Sequence, residues 1–264
     1  MARHSELVKI PRIDRYISKL ALGTAPLGGL FTAVSDEQGQ ATVLAALDSG
    51  INFIDTAPLY GHGNAERMIG SVLSKTNKEY VISTKVGRVL KKFAPEEIAG
   101  KVDGLAAFIG VDPTIFPVFD FSRDGILRSI QESLERLNIS SIDIALIHDA
   151  DDRIDEAIKN SYPVLDELRS QGVIKGIGVG MNICSYATKA VKEMDLDVIL
   201  IAGRYSLLDQ SAQEVLFKEC LKKQTGVMVG GVYNSGVLAN PVPESTYNYL
   251  PVTPEILSKV KQIQ

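Results

Sequence analysis

The chain has 264 residues, of which 45% are hydrophobic and 23% charged, and its net charge is −4. This composition is typical of a globular chain with a large core, and it gives no basic surface for nucleic acid. No apolar run approaches the ~20 residues that span a bilayer, and the N-terminus lacks an apolar secretory signal. We therefore expect a cytoplasmic protein without membrane or nucleic-acid partners. Cys184 and Cys220 lie far apart, and no Cys/His spacing predicts a metal site.

Short apolar runs alternate with helical patterns along most of the chain. Residues 7–19 predict a hairpin ahead of the first of these runs. The predicted strands are 20–24, 52–55, 80–85, 142–147, 173–179, 198–202 and 226–232. The predicted helices are 36–49, 64–75, 123–137, 154–170, 185–194, 212–223 and one that begins after Thr253. Asn64 is the predicted cap of the second helix.

Strands separated by helical patterns of 10–15 residues indicate βαβ units and a parallel sheet. Seven such strands favour the α/β fold of a (β/α)8 TIM barrel, formed as a single domain by residues 1–264. Because only seven strands are found, we expect the chain to be truncated before strand eight and the eighth βα unit to be absent. The segment 86–122 is rich in Gly, Pro and Phe. It predicts a long loop over the mouth of the active site.

Polar residues follow three consecutive predicted strands. Asp55, Lys85 and His148 stand at the ends of the second, third and fourth strands, and Tyr60 lies on the loop after the second. A TIM barrel carries its active site at the C-terminal ends of its strands, so we expect these four side chains to meet. Each also has an ordinary alternative. Asp55 could be an ion-pair partner, Tyr60 a rim tyrosine and Lys85 a surface lysine. His148 could be a core or metal-ligating histidine.

The four groups together suit proton transfer to or from a carbonyl or alcohol oxygen. A tyrosine has an ordinary pKa of ~10, and a nearby Lys85 ammonium lowers it. Asp55 can hold Lys85 in place, and His148 can orient the substrate oxygen. None of these groups accepts a hydride, so the reaction would need a nicotinamide. The Lys85 amine could alternatively form a Schiff base, as in barrel aldolases.

The stretch 50–61, Gly-Ile-Asn-Phe-Ile-Asp-Thr-Ala-Pro-Leu-Tyr-Gly, resembles the signature of the aldo-keto reductases. Lys85 in Ile-Ser-Thr-Lys-Val and His148 in Ile-Ala-Leu-Ile-His-Asp are also similar to that family. The segment 119–125 is most similar to the branch with aldose 1-dehydrogenases and pyridoxal 4-dehydrogenase. The resemblance implies that Asp55, Tyr60, Lys85 and His148 form the catalytic tetrad.

The resemblance also implies a cofactor, NADP or NAD, and a small aldehyde, ketone or aldose substrate. The implied cofactor-binding residues are Gly23, Thr24, Ala25, Asp55, Asn182, Tyr233, Asn234, Ser235, Gly236 and Leu238. Two positions depart from the family pattern. Gly180 stands after strand five where a hydroxyl is common, and the stretch 201–205, Ile-Ala-Gly-Arg-Tyr, stands after strand six where a glutamine is common.

The sequence thus predicts an NAD(P)-dependent oxidoreductase that transfers a hydride between nicotinamide and a carbonyl or hydroxyl carbon. An aldose 1-dehydrogenase or an aldehyde reductase is the expected form, with Tyr60 as the general acid and base. Two alternatives stay open besides the aldolase. They are a catalytically inactive aldo-keto-reductase-like fragment and a regulatory subunit.

Overall fold

The computed structural model describes residues 4–98 and 108–263. The strands of these residues are β1 (Leu7–Lys9), β2 (Tyr16–Ser18), β3 (Leu22–Gly23), β4 (Phe53–Asp55), β5 (Val81–Val86), β6 (Arg88–Lys92), β7 (Ile115–Phe119), β8 (Ile142–His148), β9 (Ile174–Met181), β10 (Val198–Ala202), β11 (Gly226–Gly230), β12 (Thr246–Tyr247) and β13 (Leu250–Pro251). The helices are α1 (Asp36–Asp48), α2 (Asn64–Leu73), α3 (Pro95–Ile98), α4 (Arg123–Leu137), α5 (Ile154–Glu156), α6 (Tyr162–Ser170), α7 (Cys184–Glu193), α8 (Leu216–Lys223) and α9 (Pro254–Ile263). Among these helices, none combines the length and apolarity that crossing a membrane requires.

Seven strands form one parallel sheet in the order β3, β4, β5, β8, β9, β10, β11. These are the seven predicted strands, and they lie side by side in chain order. Their pairing aligns Asp55 with Ser83, Lys85 with Leu146, and His148 with Gly180. At least one helix separates each strand from the next. The predicted succession of parallel βα units is therefore confirmed.

Side chains on the inner face of the sheet form one core, and strands far apart in the sheet contribute to it, so the sheet must be curved. Phe53 of β4 and Val198 of β10 belong to one buried cluster, although three strands separate β4 from β10. Ile10 and Ile13, from the turn between β1 and β2, complete this cluster and fill the N-terminal end. The helices pack against the outer face in two further clusters. Burial of parallel strands on both faces is characteristic of α/β folds, and the curvature of this sheet favours a barrel.

Ion pairs fasten the β1–β2 hairpin beneath the barrel. Asp143, buried at the start of β8, accepts Arg15 Nε at 2.9 Å and Lys175 Nζ at 2.6 Å. Asp197, also buried, accepts Arg169 Nη1 at 2.7 Å and lies 3.7 Å from Arg12 Nε. Charge-assisted contacts to two buried carboxylates thus keep the hairpin over the N-terminal end. The opposite end of the barrel carries the polar strand ends.

The segment 86–122 is more regular than the predicted loop. β6 and β7 pair as an antiparallel ribbon, and α3 follows β6. Residues 99–107 lie outside the described residues. The prediction of an irregular loop was wrong at the ribbon, where Val89 is buried and the Arg88 guanidinium stacks on the Phe119 ring at 4.1 Å. Long-range packing, and not a local periodicity, orders this segment.

One smaller prediction needs correction, and one element was missed. Asn64 is the first residue of α2 and not its cap, because Gly63 before it has φ 90° and the Asn64 side chain accepts from Arg67. The β12–β13 hairpin was not predicted. It packs through Tyr247 on a small C-terminal core.

Candidate active site

Three buried polar side chains meet where β4, β5 and β8 end. Asp55, Lys85 and His148 close these adjacent strands, and the barrel core surrounds them. The apolar runs before each residue create this arrangement, since they bury the strands and place the polar side chains at one end. The structure therefore brings together the three predicted strand-end residues.

Lys85 is the most deeply buried of these groups, with its side chain only 1% exposed. Its ammonium donates to Asp55 Oδ2 at 2.7 Å and to the carbonyl of Thr56 at 2.8 Å. The other oxygen of Asp55 accepts the hydroxyl of Ser83 at 2.5 Å. Burial lowers the pKa of Lys85, but the charges and hydrogen bonds of Asp55 and Tyr60 together outweigh burial and raise that pKa. Lys85 is therefore a fixed positive charge at neutral pH.

Tyr60 reaches this charge from the loop after β4. The Lys85 ammonium lies 4.7 Å from the centroid of the Tyr60 ring. A close backbone contact fixes the loop, because a Cβ on Gly28 would lie 2.5 Å from both the nitrogen of Gly61 and the carbonyl carbon of Tyr60. Phe108 packs on the Tyr60 ring with centroids 6.3 Å apart. The segment after β6 thus borders the site at this residue.

Burial raises the pKa of Tyr60 to about 12, although the neighbouring Lys85 charge lowers it. The predicted sign of the lysine effect is right, but desolvation of the phenolate outweighs it. Tyr60 is therefore a phenol at neutral pH. Any phenolate that forms is stabilised by the lysine.

His148 faces Tyr60 from the next strand. The two rings are perpendicular, with centroids 6.1 Å apart. Burial lowers the pKa of His148 to about 3, and Lys85 and Arg88 add to this effect against the opposing charge of Asp149. The imidazole is therefore neutral and has one N–H to donate.

Arg88 and Asp149 also belong to the site, and the sequence did not single them out. Arg88 Nη2 donates to Asp149 Oδ2 at 3.0 Å, and Asp149 lies next to His148 in the chain. The only signal in the sequence was an acidic residue directly after the strand-end histidine. In the described residues no cluster of three or more His, Cys, Asp or Glu side chains could hold a metal ion.

The candidate cofactor residues after β3 differ in availability. Both the amide and the hydroxyl of Thr24 donate to the carbonyl of Asp55, at 3.0 and 2.9 Å. Thr24 thus joins β3 to β4. The added Cβ on Gly23 would meet nothing within 4 Å, so the backbone there is open to a ligand. Ala25 follows in the same turn.

Asn182 follows β9, as predicted, but its side chain is turned toward the protein. Its side-chain Nδ2 donates to Asp149 Oδ1 at 3.0 Å, and the backbone carbonyl of Asn182 accepts Arg204 Nε at 2.8 Å. Arg204 Nη1 also donates to Asp209 Oδ2 at 2.9 Å. The loops after β9 and β10 are therefore tied together by Arg204.

The loop after β11 carries the remaining candidates, and its features suit a nicotinamide nucleotide. The Tyr233 ring is 63% exposed at the end of the sheet where the tetrad lies, so one face can stack on a planar ring. Asn234 is buried, and its Oδ1 has no hydrogen-bond partner in the described part of the chain. An unpaired buried amide oxygen is costly unless a ligand donates to it. Ser235 and Gly236 continue this loop with φ of 58° and 96°.

Leu238 has a different environment. It packs against the C-terminal core formed by Leu208, Val237 and Val260. Leu238 thus supports the loop from below, while Tyr233 and Asn234 present the groups that fit a ligand.

Comparisons with known proteins identify the family of this chain. The model of the aldo/keto reductase family matches residues 19–248. A D-threo-aldose 1-dehydrogenase from a Pseudomonas species is 38% identical over 251 residues, which cover 94% of this chain and 76% of that protein. A pyridoxal 4-dehydrogenase from Microbacterium luteolum is 35% identical over 278 residues, covering 98% and 80%.

Solved structures give the same result. The holo form of an aldo-keto reductase from Bacillus halodurans superposes with a TM-score of 0.73 and 25% identity, covering 92% of this chain and 73% of that one. The glycerol dehydrogenase from Gluconobacter oxydans has a TM-score of 0.68 at 25% identity, covering 95% and 69%. The predicted TIM-barrel fold class is confirmed.

The chain belongs to the aldo/keto reductase family. The predictions of an oxidoreductase acting on alcohol or carbonyl groups, and of NAD or NADP as its cofactor, are confirmed at the level of this family.

Proposed function

We propose that this protein oxidises an aldose at its anomeric carbon or reduces an aldehyde, with Tyr60 as the group that moves the proton. The observation that carries this proposal is the buried Lys85 ammonium, held by Asp55 and lying 4.7 Å from the Tyr60 ring centroid. A fixed positive charge beside a phenol stabilises the phenolate that forms when the proton leaves. We take residues 1–264 as a single domain built around this site.

The residues have separate tasks in the proposed reaction. When bound, the nicotinamide takes up or releases the hydride. In reduction, the neutral His148 donates a hydrogen bond to the substrate oxygen, and Tyr60 gives its proton to the same oxygen. Lys85 stabilises the phenolate left on Tyr60, and Asp55 keeps Lys85 in position. In oxidation the proton moves the other way: Tyr60, as a phenolate stabilised by Lys85, removes the hydroxyl proton of the substrate.

The protonation state of Lys85 argues against the aldolase alternative. A lysine that forms a Schiff base must be neutral to attack a carbonyl, and such lysines have a lowered pKa. The pKa of Lys85 is raised instead, since Asp55 and Tyr60 together outweigh the effect of burial. Its ammonium is also held by two acceptors, Asp55 Oδ2 and the Thr56 carbonyl.

The cofactor is proposed to lie across the loops after β3, β9 and β11. Gly23, Thr24 and Ala25 would border it on one side. Tyr233 would stack on the nicotinamide, and the unpaired oxygen of Asn234 would accept from it. Asn182, Ser235, Gly236 and Leu238 complete the proposed set. The choice between aldose and aldehyde is supported by the two relatives, a D-threo-aldose 1-dehydrogenase and a pyridoxal 4-dehydrogenase.

A rate panel tests the proposal. Aldoses, pyridoxal and simple aldehydes are incubated with NAD or NADP in the appropriate redox state, and the absorbance of the reduced nicotinamide is followed. We expect turnover on at least one aldose or aldehyde. Protein that binds NADH or NADPH in a fluorescence titration but turns over no substrate would contradict the proposal and favour an inactive or regulatory role.

A chemical trap tests the aldolase alternative in the same samples. Borohydride is added with each substrate, and the intact mass of the protein is measured. We expect no covalent adduct on Lys85. A substrate-dependent adduct would overturn the assignment of Lys85 as a fixed charge.

A further inference from the structure

Asp149 occupies an unusual backbone position beside the candidate site. It has φ of 47°, in the left-handed region that residues other than glycine seldom adopt. Its amide donates to the carbonyl of Gly180 at 2.9 Å, which fixes the turn as the chain leaves β8. Strain of this kind collects at functional sites, where the surrounding structure maintains it. The turn directs the Asp149 carboxylate back toward His148.

Two donors and one ring nitrogen of His148 surround that carboxylate. Oδ2 accepts Arg88 Nη2 at 3.0 Å, and Oδ1 accepts Asn182 Nδ2 at 3.0 Å. His148 Nε2 lies 3.5 Å from Oδ2. Burial would raise the pKa of Asp149, but His148 and Arg88 lower it, so the group is a carboxylate at neutral pH. A carboxylate is an acceptor only, and it favours a proton on any nitrogen that faces it.

The other ring nitrogen of His148 has the opposite environment. Nδ1 is buried and has no hydrogen-bond partner among the described residues. A proton on Nδ1 would create a buried donor without an acceptor, while the Nε2 lone pair would face the Asp149 carboxylate. A proton on Nε2 avoids both penalties. Both environments therefore favour the same tautomer.

We propose that Asp149 is a positioning residue that keeps the proton of His148 on Nε2, with Arg88 holding its carboxylate in place. The 3.5 Å separation is longer than a good hydrogen bond. The Nε2–H is thus selected by the carboxylate yet remains available to a substrate oxygen. This inference rests on the proposed function, in which His148 donates a hydrogen bond to that oxygen.

Arg88 is itself firmly held. Its side chain is only 11% exposed, and its guanidinium lies 4.1 Å from the Phe119 ring centroid. This stacking is made by β7, so the ribbon of β6 and β7 would act on the site through Arg88 and Asp149. In this arrangement the segment between β5 and α4 helps to set the tautomer of His148.

Nitrogen NMR of the histidine rings tests the proposal without cofactor or substrate. The chain has three histidines, so ¹⁵N-histidine labelling gives few signals, and a His148→Gln variant assigns the relevant one. In the wild type we expect Nε2 protonated and Nδ1 unprotonated. In Asp149→Gly, which keeps the left-handed backbone and removes the carboxylate, we expect a measurable Nδ1–H population. A wild-type ring protonated on Nδ1, or an unchanged tautomer in Asp149→Gly, would overturn the proposal.

Further variants separate positioning from general damage. Arg88→Met removes the anchor and is expected to shift the tautomer in the same direction, which keeps the test valid if Asp149→Gly folds poorly. Arg153→Met is the matched control, because Arg153 also lies over Phe119, at 5.4 Å. Asp152→Asn, at an exposed position, controls for the loss of one negative charge. Neither control should change the His148 signals, and a change in either equal to that in Asp149→Gly would contradict the proposal.

Turnover provides a second readout. Partners that orient a metal-ligating histidine typically contribute about 10- to 100-fold to activity, and by analogy we expect kcat of Asp149→Gly to fall by about that factor with a smaller change in KM. If the tautomer shifts but kcat stays at the wild-type value, the positioning role stands and the proposed role of His148 in the reaction fails. The two failures are thus distinguishable.

Discussion

Replacing Asp55 by asparagine should destabilise the protein through Lys85. The Lys85 ammonium is almost completely buried, and the Asp55 carboxylate is its only anionic hydrogen-bond acceptor in the described residues. Breaking a buried ion pair by removing one partner typically costs about 3–5 kcal/mol of unfolding free energy. The variant can limit this loss by releasing the lysine proton. From an ordinary lysine pKa of ~10.4, keeping the amine neutral at pH 7 costs about 4.6 kcal/mol, and at pH 9 about 1.9 kcal/mol.

The loss should therefore depend on pH with a definite sign. In the wild type the pKa of Lys85 is raised, so its contribution is fully present below the unfolded-state value of ~10.4 and constant between pH 6 and 9. In Asp55→Asn the folded-state pKa falls below the unfolded one. The unfolded state then binds more protons, and stability rises with pH. We expect a loss of about 3–5 kcal/mol at pH 7 that shrinks to about 2 kcal/mol at pH 9.

Urea denaturation at pH 6, 7 and 9 measures these values. The matched control is Asp48→Asn, which removes an ion pair of nearly the same length, 2.6 Å from Asp48 to Lys78. This pair is exposed, since 56% of the Asp48 side chain and 45% of the Lys78 side chain are accessible. Exposed pairs contribute about 0–1 kcal/mol, so the control should be nearly neutral. A loss below about 1 kcal/mol in Asp55→Asn, or one that does not change with pH beyond the control, would refute the assignment of Lys85 as a buried charge that depends on Asp55.

Three further predictions concern the catalytic end of the barrel. Because the pKa of Tyr60 is raised to about 12, alcohol oxidation should accelerate about tenfold per pH unit between pH 7 and 9 while carbonyl reduction stays nearly flat; an oxidation rate independent of pH would contradict Tyr60 as the base. Because the pKa of His148 is lowered to about 3, its ring signals should not titrate between pH 5 and 8, and a midpoint near 6.5 would show that the ring is not buried. A Gly28→Ala variant should lose about 1–3 kcal/mol of stability and most of its turnover, because its Cβ would displace the Tyr60 loop. Gly226→Ala, where the nearest atom lies at 3.5 Å, should show neither loss in thermal denaturation and activity assays.

The predictable part of the site followed from strand geometry. Parallel strands place their C-terminal ends at one edge, so Asp55, Lys85 and His148 had to lie near one another once the three strands were recognised. Each strand was recognisable because it is a short apolar run between helical patterns. Tyr60 lies on a loop and not at a strand end, so its place was harder to predict. It is only five residues after Asp55, however, and such a short loop keeps it near Lys85.

The unpredicted part depends on contacts between distant residues. Arg88 and Asp149 are 61 positions apart, and no local pattern links a ribbon residue to the residue after a strand-end histidine. The ribbon of β6 and β7 was missed for the same reason. The raised pKa of Tyr60 also needed the structure, because the balance between desolvation and the Lys85 charge depends on how deeply the phenol is buried.

The transfer of a labelled hydrogen tests the central claim most directly. A 1-deuterated aldose or alcohol that the rate panel identifies as a substrate is incubated with oxidised cofactor, and the reduced nicotinamide is analysed by mass spectrometry. We expect one deuterium in the nicotinamide with the wild-type protein. Tyr60→Phe should form that product at least about 100-fold more slowly, while Tyr205→Phe should match the wild type. Deuterium found only in solvent, or equal rates in Tyr60→Phe and the wild type, would contradict hydride transfer assisted by the Tyr60 phenol.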